Sequence, residues 1–253
     1  MKNKTLFIAF STQKGGVGKT TFTVLAASYL YYLKGYNVAV VDCDYPQHSI
    51  SAMRKRDADL VSGDDYYKQL AFSQFKALDK KAYPILCAWA ENAIETIEQY
   101  LESAQTDFDI VFFDLPGTVN SEGIIHTLSC MDYIFTPITA DRVVLESSLS
   151  FALSIDKLLV KNESVNLKGL FLFWNQVDGR EKTDLYEIYE KTILELNLPI
   201  LKTFIPDTKR YKKELSAEKK TVFRSTLFPA DKQLIKGSNL DKLITEIAYR
   251  IKL

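Results

Sequence analysis

Ser11-Thr12-Gln13-Lys14-Gly15-Gly16-Val17-Gly18-Lys19-Thr20-Thr21 decides how this chain is read. An apolar run at 6–10 leads into it, and a helix-compatible stretch at 19–34 leads out. Gly15, Gly16 and Gly18 permit backbone geometries that let successive N–H groups point inward at an anion. A helix opening at Lys19 adds unpaired N–H groups and a positive dipole end. In such a cradle, formed by Gly15, Gly16, Val17, Gly18, Lys19, Thr20 and Thr21, Lys19 reaches terminal phosphates and the Thr20 hydroxyl is a ligand for Mg2+. The usual pattern places glycine six residues before the lysine; here that position is Gln13, and a second lysine, Lys14, opens the loop.

Around this segment, short apolar runs alternate with longer amphipathic ones. Runs at 6–10, 37–41, 110–113, 133–137, 170–174 and 200–205 predict strands, because they are nearly continuous in apolar and β-branched residues, as in a sheet covered on both faces. Stretches at 19–34, 91–104, 141–160 and 183–196 predict helices, with Asp141 and Asp184 as start signals for the last two. The alternation predicts an α/β fold, a mostly parallel twisted sheet with helices on both faces. The charged stretch 46–84 reads as helical excursions on the surface. With no repeats or linkers, residues 1–253 read as a single domain. Ligands in such sheets sit at the carboxyl ends of the strands, and the loop and its acidic companions all fall at such ends.

Composition narrows the function classes. The 253 residues carry 32 basic and 32 acidic side chains, so no global field draws the chain to nucleic acid or lipid, and any polyanion binding needs a local patch. Hydrophobic content of 47% with 25% charged residues argues against disorder. Cys43, Cys87 and Cys130 are scattered, which reads as buried small hydrophobes in a reducing compartment and gives no support to a zinc or iron–sulfur site. With only His48 and His126, a histidine-based metal cluster is not expected either. No segment has the length of a membrane span, the N-terminal apolar run is too short for a signal peptide, and a cytoplasmic location is expected.

Three carboxylates accompany the loop. Val40-Val41-Asp42-Cys43-Asp44-Tyr45-Pro46-Gln47 ends the second apolar run, and Asp114 ends the run that begins at Asp109. Phosphoryl transfer asks the protein mainly to orient water and neutralise charge. Asp44 is therefore assigned to orienting the attacking water, Asp42 to Mg2+ through water or to bracing the loop, and Asp114 to Mg2+ or one of its waters. Gly117 follows as the pivot of a switch segment. Lys14 stands at the wrong end of the loop for its own nucleotide. It reads as reaching the triphosphate of a second copy, neutralising charge at the transfer centre, which requires ATP-dependent dimerisation.

The Lys14–Thr21 loop, the Asp42–Gln47 segment and the Asp114–Gly117 segment resemble those of the ParA/MinD family of deviant-Walker P-loop NTPases. The resemblance spans nearly the whole chain and is greatest to the ParA, or plasmid- and chromosome-partition, branch, in a short form without an N-terminal helix-turn-helix region. The chain departs from the D-x-D-P-Q pattern by inserting Tyr45 before Pro46. The resemblance implies ATP hydrolysis with Mg2+, an ATP-sandwich homodimer, a partner protein (a ParB-like adaptor) that stimulates hydrolysis, and ATP-dependent nonspecific DNA binding at the nucleoid. It also implies that Asn175 recognises adenine, with Pro206 and Asp207 lining the base.

A local patch for DNA is present between residues 202 and 224, where eight basic residues face three acidic ones. Beyond Lys202 it comprises Lys209, Arg210, Lys212, Lys213, Lys219, Lys220 and Arg224, a composition suited to phosphate contacts without sequence readout. The tail 240–253 has helical apolar spacing but a mixed-charge polar face without Trp or Phe, so it reads as core-packing. That weakens the rival expectation, a membrane-cycling ATPase of MinD type, and no stable membrane insertion is expected. A metal-cluster carrier lacks its C-x-x-C pair. An ATP-dependent ligase would need a small-molecule substrate, and a tyrosine kinase a tyrosine-rich tail, where only Tyr249 stands.

Overall fold

A computed structural model describes residues 4–117, 122–162, 165–180 and 183–253. Its strands are β1 (Leu6–Phe10), β2 (Val38–Asp42), β3 (Ile85–Cys87), β4 (Ile110–Asp114), β5 (Tyr133–Ile138) and β6 (Gly169–Trp174). The helices are α1 (Lys19–Ser28), α2 (Ser49–Gly63), α3 (Asp65–Leu78), α4 (Ala93–Ser103), α5 (Glu122–Ser129), α6 (Arg142–Ile155), α7 (Thr183–Glu195), α8 (Lys232–Ile235) and α9 (Leu240–Ile251). The six strands form one parallel sheet in the order β3-β2-β4-β1-β5-β6. The chain leaves β1 for the β2 side, and later crosses from β4 over β1 to β5. The carboxyl ends of β1 and β4 are thus the topological switch point, the crevice where such sheets hold ligands.

Continuous apolar runs become central strands because both faces are covered: β2 and β4 are buried at every residue. One face packs Phe10, Phe112, Phe135 and Phe173 against α1 and α9; the other packs Val41, Phe113 and Ile134 against residues of α4, α5 and α6. The apolar stripe of α9, Leu240, Leu243, Ile244, Ile247 and Ile251, is buried, as its spacing predicts. A third cluster joins Tyr67 and Ala71 of α3 to Val222 and Phe228, so the charged 46–84 stretch forms two helices laid over the C-terminal segment.

Three expectations need correction. The stretch 200–205 is not a regular strand: an isolated bridge, Leu172 to Ile200, and the N–H groups of Leu201 and Ile205, donated to the Leu172 and Trp174 carbonyls, are its links to β6. The backbone N–H groups of Lys202 and Thr203 instead donate to the Glu246 carboxylate on α9, at 2.9 and 2.8 Å, which takes them out of any ladder. Second, 19–34 and 141–160 are not uniform helices; α1 and α6 each end in a five-residue π-helical turn, at Tyr29–Leu33 and Asp156–Val160. Third, only Cys43 of the cysteines is buried; Cys87 is exposed and Cys130 half-buried. Asp141 does cap α6 by accepting from the Val144 N–H at 2.9 Å, whereas Asp184 lies inside the first turn of α7.

Candidate functional site

The glycine loop leaves β1 at the switch point and is held from several sides. Ser11 donates its N–H to the Phe135 carbonyl at 3.0 Å and accepts from the Thr136 hydroxyl at 2.9 Å. Thr12 shares a hydrogen bond with Ser148 of α6, at 3.1 Å. Gly18 sits at φ 96° directly before α1, and a Cβ there would lie 3.1 Å from the Phe22 ring and 3.4 Å from the Asn175 amide nitrogen. Glycine is required at that position on both counts.

Two cavities flank the loop. The first, about 420 Å3, is walled by Gly15, Gly16 and the 18–21 segment of the loop together with Asp44, Gln47, Ser49 and Leu115–Gly117. Lys19 stands in that wall and donates to the Lys14 carbonyl at 3.1 Å. Burial lowers the Lys19 pKa, while the carboxylates of Asp114 and Asp44 oppose the shift. A Cβ on Gly117 would approach the Lys19 ammonium to 3.0 Å, so that glycine allows the segment after β4 to close on the lysine. Lys14 is half-buried and is not among the residues that wall this cavity. The switch expected beyond Gly117 runs into residues 118–121, which lie outside the described residues.

The second cavity, about 200 Å3, is lined by Gly16, Gly18, Thr21, Phe22, Asn175, Gln176, Pro206, Asp207, Thr208, Tyr211, Lys212 and Arg224. Asn175, Pro206 and Asp207 thus meet beside the loop. Asn175 is buried, and its amide nitrogen donates to the Val17 carbonyl at 2.9 Å while its oxygen accepts from the Gln176 N–H. It ties the loop to the end of β6 as well as lining the pocket. Residues 205–207 reach the pocket by pairing with Val177, which donates to Ile205 and accepts from Asp207.

Register places the carboxylates. Asp42 and Asp114 are direct partners on adjacent strands, both fully buried. Asp42 turns one oxygen to the start of α2, accepting from Ile50 and Ser51 N–H groups at 3.0 and 2.9 Å; it braces the loop that carries Asp44. Asp114 has no hydrogen-bond partner on either oxygen among the described residues. Burial pushes its pKa up to about 7; the Thr20 hydroxyl, near enough to oppose the shift but outside hydrogen-bond geometry, offsets part of it, while Asp42 and Asp44 add to it. Two orphaned, buried oxygens beside Thr20 and Lys19 suit a divalent cation, so Asp114 with Thr20 fits the Mg2+ role. The residue inserted before Pro46, Tyr45, lies against Trp89 with ring centroids 3.6 Å apart, and the turn still returns Gln47 to the phosphate cavity.

Because the folded pKa of Asp114 lies above the unfolded carboxylate value, native protein holds a proton that unfolded chain has released. Ligand-free protein should therefore lose stability as pH rises from about 4 to about 7. Asp114→Asn should remove that slope and raise the melting temperature near neutral pH by at least ~2–4 °C, the shift worth about 1 kcal/mol in a chain this size. Thermal scans of both proteins across pH check this; an unchanged slope in the variant would assign the effect elsewhere.

The basic run divides. Arg224 points inward, donating to the Thr21 hydroxyl at 2.7 Å and to Glu214 at 2.6 Å, so it belongs to the second cavity and not to an outer patch. Arg210 donates to the Leu234 and Lys236 carbonyls, and Lys220 pairs with Asp64 over the rings of Tyr66 and Tyr67. Lys212 lines the pocket beside Arg224. Lys209, Lys213 and Lys219 are exposed. Composition alone could not separate inward from outward members, since the sorting depends on partners far away in sequence.

The model of the CobQ/CobB/MinD/ParA nucleotide binding domain matches residues 8–222. The sporulation initiation inhibitor protein Soj of Bacillus subtilis is 27% identical over 216 residues, covering 79% of this chain and 83% of its own. Among solved structures, MinD of Aquifex aeolicus in the MinC:MinD cell division protein complex superposes with a TM-score of 0.60 at 15% identity, covering 98% and 96% of the two chains. A plasmid partition protein from Borrelia burgdorferi does so at 0.57 and 16%, covering 97% and 100%. A match over most of the chain, taking in the glycine loop and all three carboxylates, makes this protein a ParA-type P-loop member of the CobQ/CobB/MinD/ParA nucleotide-binding family.

Proposed function

We propose that the protein is an ATPase that dimerises on ATP and uses the nucleotide state to gate nonspecific binding to DNA, thereby partitioning or positioning a DNA cargo such as a plasmid or mobile element. The observation that carries hydrolysis is the phosphate cavity, lined by Lys19 and Asp44, with the buried, unpartnered Asp114 within electrostatic reach of Lys19. ATP lies with its phosphates along Gly15–Thr21 and its base between Asn175, Pro206 and Asp207. Mg2+, held by Thr20 and Asp114, neutralises charge on the phosphate oxygens when bound. Asp44 orients the water that attacks the γ-phosphorus; the bond to the β–γ bridging oxygen breaks, and ADP, phosphate and a proton leave. Lys14 of each copy neutralises charge on the partner's triphosphate. A ParB-like adaptor stimulates the turnover.

Support for DNA as the gated ligand comes from the basic members of 202–224 that stay at the surface, and from the resemblance of the loop and its acidic segments to the partition branch of the family. A membrane-cycling role finds less support, because the apolar face of α9 is already buried against the sheet. No helix among the described residues is long and apolar enough to cross a membrane. The test is DNA binding with ATP, ADP or no nucleotide across a salt series. Binding should require ATP and fall steeply with salt. Asp44→Ala should keep ATP-dependent binding while turnover stops. Equal binding in every nucleotide state, or binding to anionic vesicles in place of DNA, would overturn the proposal.

A further inference from the structure

The sheet register sets a second group of ligand-type side chains beside the turn that carries Asp44. Asp42 at the end of β2 is the direct partner of Cys87 at the end of β3. His48, just before α2, folds back over Asp42, with Nδ1 3.9 Å from the Asp42 Oδ1 and 3.2 Å from the Asp42 carbonyl oxygen. One oxygen, nitrogen and sulfur atom from Asp42, His48 and Cys87 all lie within 4.8 Å of one another. Asp42 is fully buried, and its Oδ1, the oxygen on the His48 side, has no hydrogen-bond partner among the described residues, whereas Oδ2 is fixed by the N–H groups of α2. A buried carboxylate oxygen left orphaned is costly unless something positive meets it.

We propose that Asp42, His48 and Cys87 form a binding site for one borderline divalent transition metal of the Zn2+ type, with three protein ligands and a fourth position open to solvent. The donor set decides the class. Imidazole and thiolate suit Zn2+ and its neighbours, while Mg2+ and Ca2+ take oxygen, so this site does not compete for the ion of the nucleotide. Zinc bond lengths of ~2.0–2.3 Å put tetrahedral ligand atoms roughly 3.3–3.8 Å apart. The Asp42–His48 separation is almost there, and a rotation of the exposed Cys87, now hydrogen-bonded to Ser51 at 3.0 Å, closes the remainder. Binding releases the thiol proton, leaves the ion coordinated to the carboxylate and imidazole, and pins both flanks of the turn 43–47. Sequence spacing hides such a site, because Cys87 lies 39 residues from His48 with no paired motif; only strand pairing makes them neighbours.

The test uses full-length protein stripped with chelator, with Zn2+ measured by competition against a chromophoric chelator and Co2+ as the spectroscopic probe. One Zn2+ per chain is expected, together with a thiolate-to-Co2+ charge-transfer band. Cys87→Ser, a surface change, should abolish the band and weaken Zn2+ by more than the roughly 100-fold that even a supporting residue can cost. His48→Gln should weaken it similarly, with ATP-analogue affinity confirming that both variants remain folded. Cys130→Ser, Lys19→Ala and excess Mg2+ should leave Zn2+ binding unchanged. Absence of stoichiometric Zn2+, or a charge-transfer band that survives Cys87→Ser, overturns the proposal.

Discussion

Lys19→Ala is expected to abolish ATP binding and turnover together, whereas Lys14→Ala should leave the affinity of a single copy for ATP nearly intact and lower turnover roughly a thousand-fold or more, the scale of a charge supplied in trans. Both lysines belong to the same loop, yet they differ in surroundings. Lys19 lines the phosphate cavity within electrostatic reach of Asp114 and Asp44; Lys14 does not line it. Lys14→Ala should also hold the protein as a monomer with ATP and Mg2+ present. Nucleotide titration, steady-state turnover and sedimentation separate the cases. If Lys14→Ala weakens ATP binding as strongly as Lys19→Ala, both lysines serve one nucleotide and the trans assignment fails.

Phe10→Ala is expected to cost about 3–5 kcal/mol of folding stability, a large part of the roughly 5–15 kcal/mol a domain possesses. Phe10 is 1% exposed at the end of the central strand, with the rings of Phe22, Phe112, Phe135 and Phe173 at centroid distances of 5.8, 6.1, 5.9 and 6.2 Å. Removing it takes a partner from all four and leaves a void that a rigid sheet closes poorly. Phe22 also lines the pocket proposed for the base of ATP, so ATP affinity should fall as well. Urea denaturation should show a lower midpoint at unchanged slope. A loss under about 1.5 kcal/mol would mean that the site repacks.

What could be read from the sequence was local in origin. The loop was legible because its glycines, lysine and threonines are consecutive, and Asp114 because it ends an uninterrupted apolar run. Strand β3 was not, since three residues at a sheet edge, two half-buried and one exposed, carry no periodicity. The 200–205 run shows why burial alone misleads: Leu201 and Ile205 are core residues that bond β6 carbonyls, yet a carboxylate more than forty residues away claims the Lys202 and Thr203 N–H groups between them and interrupts the ladder. Arg224 stands in sequence among the members of a cationic run, and nothing near it announces that Thr21 and Glu214 are its partners. Asn175 directly follows β6, but its grip on the Val17 carbonyl depends on how β6 meets the loop.

The guanidinium of Arg224 has one hand on the first turn of α1 and the other on Glu214, which itself reaches Arg56 on α2. A nucleotide filling the pocket that Arg224 lines and drawing that guanidinium toward itself would loosen its hold on Glu214 and alter the local balance of charge along the outer rim. Thermodynamic reciprocity then runs in the opposite direction too. Any polyanion that favours the loosened rim must tighten the grip on nucleotide by the same factor, so cargo and fuel would be sensed through a single arginine without the sheet having to move.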